Sequence, residues 1–141
     1  MRIQMQRFLI VGLIFCCCGC GKSDGLQRAG VGGKVTLDGV DIAEGTISFH
    51  PSGNTKGPVV GGTIKNGQYS ISIDKGPAIG SSRVEIHAWK KTGRKVQVMG
   101  REPAIMIDER VDLPSRYNVK SILVAEIKSH KNVFDYELSS Y

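Results

Sequence analysis

The sequence contains no cysteine beyond residue 20, because all four cysteines fall within residues 16–20. A domain formed by the rest of the chain can therefore contain no disulfide, no thiol nucleophile and no zinc site built on thiolates. Such a domain must be held together by its hydrophobic core alone. With 141 residues, 40% of them hydrophobic, the chain is long enough to bury one core of ordinary size.

The sequence also lacks a hydrophobic run long enough to span a membrane, which takes about 20 residues. Its longest apolar stretch at the start, residues 8–15, follows Arg2 and Arg7 and leads directly into Cys-Cys-Cys-Gly-Cys at residues 16–20. A basic start followed by a short apolar run is typical of a signal peptide. Residues 1–19 are therefore predicted to be a signal, not a part of the fold.

Gly19-Cys20 after this apolar run resembles a bacterial lipobox, in which the cysteine thiol is acylated, for example with palmitate, and the signal is cut before it. The resemblance implies that lipid on Cys20 holds the chain on a membrane, on the periplasmic or outer face of the cell envelope. At the position three before Cys20, where the motif usually has leucine, this chain has Cys17. The alternative is an uncleaved anchor, or cysteines packed in a helix as small hydrophobic residues.

The chain carries no extreme charge. Without Arg2 and Arg7, 17 basic and 13 acidic residues remain, a net charge of +4. The basic excess is concentrated in Lys90, Lys91, Arg94, Lys95 and Arg101. These residues could face anionic lipid headgroups or envelope polymers, or could form a solvated loop. Nucleic acid is not an expected partner, since the chain is exported and no aromatic residues interleave with the basic ones.

No amphipathic helix is evident, whereas short alternating segments recur between turn signals such as Asp38-Gly39 and Asn66-Gly67. Seven strands are predicted, at residues 34–37, 46–50, 59–65, 68–73, 83–89, 123–127 and 133–138. Their inward positions predict a core of Val35, Leu37, Ile47, Phe49, Tyr69, Ile71, Ile73, Val84, Ile86, Leu123, Phe134 and Leu138. The expected fold class is an all-β, seven-stranded antiparallel sandwich.

Residues 92–121 do not fit this pattern. They contain Gly100, Pro103 and Pro114 and are too many for a plain hairpin loop. A short helix or an extended excursion is expected there.

Three segments, at residues 33–39, 45–49 and 66–71, resemble the carboxypeptidase-regulatory-like, or transthyretin-like, β-sandwich, and they occur in the same order. Later residues, among them 113–118 and 132–135, are similar to a group of small lipoproteins from planctomycete bacteria. The resemblance covers roughly residues 31–139. It implies an immunoglobulin-like or transthyretin-like (prealbumin-like) sandwich, but no activity, because the matching motifs are structural.

Motifs of common catalytic sites are missing. The chain has no Gly-x-Ser-x-Gly elbow, and its glycine clusters at residues 30–33 and 57–62 lack the Lys-Ser/Thr of a phosphate loop. The transthyretin-like fold includes a hydrolase acting on 5-hydroxyisourate whose chain ends in Tyr-Arg-Gly-Ser. This chain ends in Ser139-Ser140-Tyr141 instead. No catalytic residue is therefore assigned.

Metal sites are equally poorly indicated. The sequence has three histidines, which are His50, His87 and His130. Their spacing does not suggest a zinc or copper site. The acidic cluster Asp108, Glu109 and Asp112 does not have the spacing of an EF-hand loop, and Arg110 offers it a charge partner. No metal ligand or cofactor is assigned.

The strand at residues 83–89 carries the most promising surface. Alternation sends Val84, Ile86 and Ala88 to the core, and the opposite face carries Arg83, Glu85, His87 and Trp89. A tryptophan beside charged residues could stack on a sugar or anchor a partner protein. Alternatively, the long segment that follows covers Trp89, and the ring completes a minor core.

Together these features predict three regions: a signal peptide at residues 1–19, a lipid-anchored tether at residues 20–30 and a β-sandwich domain at residues 31–141. The expected function is that of a non-enzymatic, membrane-anchored envelope protein that binds a protein or a glycan or has a structural role. The alternative is an enzyme, a hydrolase of the transthyretin-like superfold. A pocket lined by His87 and acidic residues would favour the enzyme, and a flat exposed patch around Trp89 would favour the binding module.

Overall fold

The computed structural model describes residues 25–141. The predicted signal, Cys20 and the first part of the tether lie outside these residues. The described chain forms strands and two 3-10 turns, at Ile73–Lys75 and Ser115–Tyr117. The strands are β1 (Val31–Leu37), β2 (Val40–Asp41), β3 (Glu44–Pro51), β4 (Val60–Lys65), β5 (Gln68–Ile71), β6 (Gly80–Gln97), β7 (Met106–Asp112), β8 (Leu123–Ile127), β9 (Asn132–Val133) and β10 (Tyr136–Leu138). The predicted all-β class is confirmed.

The turn dipeptides act as the sequence suggests. Asn66 and Gly67 both adopt positive φ, 49° and 74°, and join β4 to β5 with Lys65 opposite Gln68. Two consecutive positive φ values are the geometry of the two-residue hairpin turn that Asn-Gly favours. The predicted hairpin is therefore confirmed.

The strands follow the order β10-β1-β5-β4-β3-β6-β7, with β2 and β9 also paired to β1, and β8 to β6. Most pairs are antiparallel, as expected. The exceptions are β9 and β10, which run parallel to β1, with Val31 opposite Asn132 and Val35 opposite Tyr136. The sequence did not predict this parallel pairing between the first and last strands.

The junction between β9 and β10 requires a glycine on β1. A Cβ at Gly33 would lie 2.0 Å from the carbonyl oxygen of Phe134. The same oxygen accepts a hydrogen bond of 2.8 Å from the Tyr69 hydroxyl, and the Lys34 N–H donates to the Asp135 carboxylate at 2.7 Å. Side chains from β5 and from the link between β9 and β10 thus take over ladder bonds where the backbone pairing is interrupted.

Most of the predicted core is buried. Leu123 and Phe134 are only partly buried and Ile73 is exposed, so the prediction was wrong for Ile73. The reason is that β5 ends at Ile71 and the chain enters a 3-10 turn, where alternation no longer applies. Further buried residues, which the sequence pattern did not predict as core, include Ile42, Ile64, Leu113, Tyr117, Ala125, Ile127 and Tyr136.

Residues 92–121 correct the predicted strand number. Strand β6 does not end at Trp89 but runs to Gln97, and β7 returns beside it. The ten strands of the described chain therefore replace the predicted seven. The remainder of the segment contains only one 3-10 turn, at Ser115–Tyr117. We call residues 90–112, which include the distal part of β6 and all of β7, the arm.

The chain contacts the fold before β1 begins. Arg28 forms an isolated bridge with Ala78, the N–H of Ala29 donates to the carbonyl of Pro77, and Ala29 is fully buried. The segment predicted as a tether thus ends in residues that pack against the domain. None of the helical turns in residues 25–141 has the length and hydropathy to cross a membrane.

Candidate functional site

Strand β6 directs its residues to the two faces that the sequence predicted. Val84, Ile86 and Ala88 are buried, while Glu85 and Trp89 are partly buried and His87 is exposed on the other side. Antiparallel pairing places Ser48 of β3 opposite Glu85 and His50 opposite Arg83. Since opposed residues project to the same face of a sheet, the four predicted residues are joined by polar side chains from β3.

Glu85 is the centre of a charged cluster on this face. Its carboxylate lies 2.5 Å from the guanidinium of Arg83, 3.3 Å from Nε2 of His50 and 3.6 Å from Nε2 of His87. Burial acts to raise the pKa of Glu85, but Arg83 and the two imidazoles outweigh it and lower this pKa below its ordinary value. Glu85 is therefore held as a carboxylate that links β3 to β6.

The cluster includes a serine, a histidine and an acid, which are Ser48, His50 and Glu85. These are the residue types of a serine-hydrolase triad, but their arrangement differs from that of a triad. The Ser48 hydroxyl lies 3.1 Å from Nε2 of His50, and the Glu85 carboxylate contacts this same nitrogen. In a catalytic triad the nucleophile and the acid bind opposite nitrogens of the imidazole. This cluster therefore does not provide the relay of a triad. Its members could not be grouped from the sequence because the β3–β6 register was unknown.

Trp89 is contacted by the arm. The guanidinium carbon of Arg110 on β7 lies 3.7 Å from the centre of the Trp89 ring, a cation–π contact. The segment after Trp89 therefore covers part of the ring, as one of the two interpretations expected. The side chain is nevertheless only partly buried and also borders open space.

A groove with a volume of about 630 Å³ opens beside Trp89. Its apolar lining comes from the end of β1, from β2 and the residues that link it to β3, from β6 and from the residue after β7, and consists of Leu37, Val40, Ile42, Ala43, Ala88, Trp89 and Leu113. Asp41, Glu44, Lys65 and Lys90 bring two charges of each sign to it. An apolar groove with a few charged groups is typical of a ligand site.

A smaller groove of about 420 Å³ adjoins it, with Trp89, Glu44 and Lys65 shared between the two. The rest of its lining consists of Gly45, Thr46, Thr63 and His87. The surface around Trp89 is therefore neither flat nor a single deep pocket. The sequence pattern predicted Leu37 and Ala88 as core residues and Trp89 as a surface residue. It did not indicate a groove, because its lining comes together only when the segment around β2 lies against β6.

The other candidate residues do not converge. His130 is exposed between β8 and β9, whereas His50 and His87 lie on β3 and β6. Over residues 25–141, no group of three or more His, Cys, Asp or Glu side chains is placed to hold a metal ion. The basic residues from Lys90 to Arg101 all belong to the arm.

Comparison with known proteins gives no further assignment: no family model, curated protein or solved structure matches this chain. Functional inference therefore depends on the geometry of the chain itself.

Proposed function

We propose that this chain is a lipid-anchored, non-enzymatic binding module of the bacterial cell envelope, with the groove beside Trp89 as its binding surface. The observation that carries the proposal is the apolar groove of about 630 Å³, which has charged residues in its lining and the only tryptophan of the chain at its border. Aromatic residues in apolar depressions are common anchors for protein partners. A protein partner is favoured, and a glycan stacked on Trp89 is the other ligand class.

Export and anchoring are supported by the first 20 residues. A basic start, a short apolar run and Gly19-Cys20 fit a lipoprotein signal. The absence of cysteine from the rest of the sequence leaves Cys20 as the one thiol of the processed chain. Two or three acyl chains on this residue would give a stable anchor, since one chain alone binds membranes reversibly.

The finer fold assignment is also a proposal. A sandwich of the transthyretin-like type is supported by the behaviour of β1, which changes partners along its length. Residues from Val31 pair with β5 and β9, whereas Thr36 and Leu37 pair with β2 and β10. A strand that passes from one set of partners to another is a common way to join the two layers of a sandwich.

The hydrolase alternative is supported by His87 and Glu44 in the smaller groove, and by His87 and Asp112 in a further cavity of about 220 Å³. Within residues 25–141, the Ser48 hydroxyl contacts an imidazole but shares Nε2 of His50 with Glu85, so this contact does not activate it as a nucleophile. The binding module is therefore the better supported function.

The anchor is tested by the intact mass of protein extracted from membranes. We expect a chain that begins at Cys20 and carries acyl mass. Cys20→Ser should abolish lipidation, while the matched control Cys17→Ser should not, because Cys17 lies in the discarded signal. A wild-type chain that starts at Met1 without acyl mass would contradict the proposal.

The binding surface is tested by the fluorescence of Trp89, which no other tryptophan obscures. Full-length protein in detergent micelles is titrated with envelope proteins and, separately, with envelope glycan fragments. Val40→Glu places a charge in the groove and should abolish the response. Val124→Glu on β8 is the control, since the two valines are similarly exposed, at 61% and 64%. Equal responses from both variants would remove the groove from the function.

A further inference from the structure

Strand β6 extends past the strand that covers one of its edges. In the β3–β6 register Gly45 lies opposite Ala88, so Glu44, the first residue of β3, is opposite Trp89. From Lys90 onward, no strand of residues 25–141 pairs with this edge of β6. The backbone here therefore presents an open edge of the kind that accepts an added strand.

The backbone directions identify which groups are open. The carbonyl of Ala88 accepts a hydrogen bond from the N–H of Leu113, which lies on the β7 side. Because successive residues of a strand direct their N–H and C=O groups to alternate edges, the backbone groups of Lys91 point to the opposite, open edge. The chain before β3 does not fill this place, since the N–H of Ile42 donates to Val35 on β1 instead.

The groove lies where β3 leaves β6. Glu44 belongs to its lining, and Trp89 and Lys90 border it from β6. An extended segment that continued the line of β3 along β6 would pass over the groove, and one of its alternating side chains would enter the apolar lining.

The charge at the start of this edge favours an acidic segment. Residues 90–97 contain four basic residues and no acid, and one of the four, Lys95, lies opposite Asp108 of β7. On β7, Val111 is opposite Lys90 and Arg110 is opposite Lys91, so the neighbouring strand places no acid across from either lysine. Opposite charges on directly facing strands stabilise pairing, and like charges disfavour it.

We propose that the groove and the open edge of β6 together bind an extended acidic peptide segment of an envelope protein, which adds to the sheet as a strand beside Lys90 and Lys91. This inference builds on the proposed binding function and names its partner class. Backbone hydrogen bonds hold the peptide, an apolar side chain in the groove selects it, and the positive charge of residues 90–97 favours its acidic residues. A second copy of the chain fits less well, because pairing through the same edge would bring two positively charged strands together.

The direct test uses a short synthetic peptide of alternating glutamate and valine, titrated into full-length protein in detergent micelles. We expect saturable quenching or a shift of Trp89 fluorescence, and slower amide hydrogen exchange at Lys91. Two control peptides separate the contributions. In the first control peptide, the backbone nitrogens that face β6 are N-methylated, which should weaken binding about tenfold or more. In the second, lysine replaces every glutamate, which should weaken binding by a similar factor.

A protein variant tests the edge itself. Lys91→Pro removes the N–H that points to the open edge without removing a β7 hydrogen bond, and should weaken peptide binding about tenfold. Circular dichroism shows whether the variant is folded. If it is not, the wild-type protein is titrated with the N-methylated and the unmodified peptide. Equal affinity for these two peptides overturns strand addition.

The outcomes separate this inference from the function on which it rests. A response to envelope proteins that Val40→Glu abolishes, together with no binding of the glutamate peptide, would retain the binding module and overturn the acidic-strand partner. Concentration-dependent dimerisation lost in Lys91→Pro would also overturn it, in favour of a second copy. Failure of both titrations would remove the groove function as well.

Discussion

The body of the domain and its arm share strand β6 but differ in what covers them. In the body, alternate residues such as Val84 and Ile86 are fully buried. In the arm, Val96 on β6 and Ile107 on β7 are paired with each other but remain 39% and 50% exposed. The same strand alternation therefore produces a core only where a second layer covers it. The arm is a two-stranded ribbon that depends on the body for its stability.

The largest expected effect is in the body. Phe49→Ala removes a fully buried ring that packs 6.4 Å, centre to centre, from Tyr69. We expect the free energy of unfolding to fall by about 3 to 5 kcal/mol, the range for large-to-small changes in protein cores. Denaturant unfolding measures this. A loss below about 1 kcal/mol would show that the body is no better packed than the arm.

The next effect concerns the junction of the first and last strands. Gly33→Ala would force a Cβ against the Phe134 carbonyl, so we expect a loss of about 3 kcal/mol or the displacement of β10. Gly39→Ala is the matched control, because nothing lies within 4 Å of its Cβ and only the backbone conformation at φ 78° opposes it. That change should cost about 1 kcal/mol. Equal losses in thermal or denaturant unfolding would show that close packing at Gly33 is unimportant.

A smaller effect is expected at the Glu85 cluster, and it depends on pH. The pKa of Glu85 is lowered from 4.5 in the folded protein, so the folded state favours the carboxylate. Its contribution to stability is present above pH 4.5 and is lost as the pH falls through the lower folded value. Glu85→Gln should cost about 1 kcal/mol at pH 7. The difference from wild type should shrink on acidification below pH 4.5, as followed by urea unfolding. A difference that grows in acid would contradict this assignment.

The smallest effect is expected in the arm. Val96→Ser should change the free energy of unfolding by no more than about 0.5 kcal/mol, because its side chain is partly in solvent in the folded state. A loss of 2 kcal/mol or more in denaturant unfolding would mean that the arm packs against a surface and would erase the distinction from the body.

Sequence patterns predicted those features that depend on neighbours along the chain. The Asn66-Gly67 hairpin and the alternation around Ile86 follow from local turn chemistry and from the period of two in a strand. Local rules also failed where a strand stopped, as at Ile73, which belongs to a 3-10 turn. The arm was missed because glycine and proline signals obscured a long, exposed pair of strands.

The sequence predicted only part of the candidate site. Trp89 and Glu85 could be chosen because alternation along one strand places them on an exposed face. The partners of Glu85 on β3 and the groove lining near Ile42 depend on pairing between distant segments. No local pattern encodes such a register, so these residues required the structure.

The parallel pairing of β1 with β9 and β10 has a consequence for the order in which the sheet can form. Lys34 is bound by Asp135, which lies 101 positions later in the chain. The first strand therefore cannot complete its ladder until almost the whole polypeptide is present, and closure of so long a loop slows folding. If the chain is exported N-terminus first, the edge of β1 that pairs with β9 and β10 would stay open until residues 132–138 had crossed. This topology would therefore postpone completion of the sheet during the export that we propose.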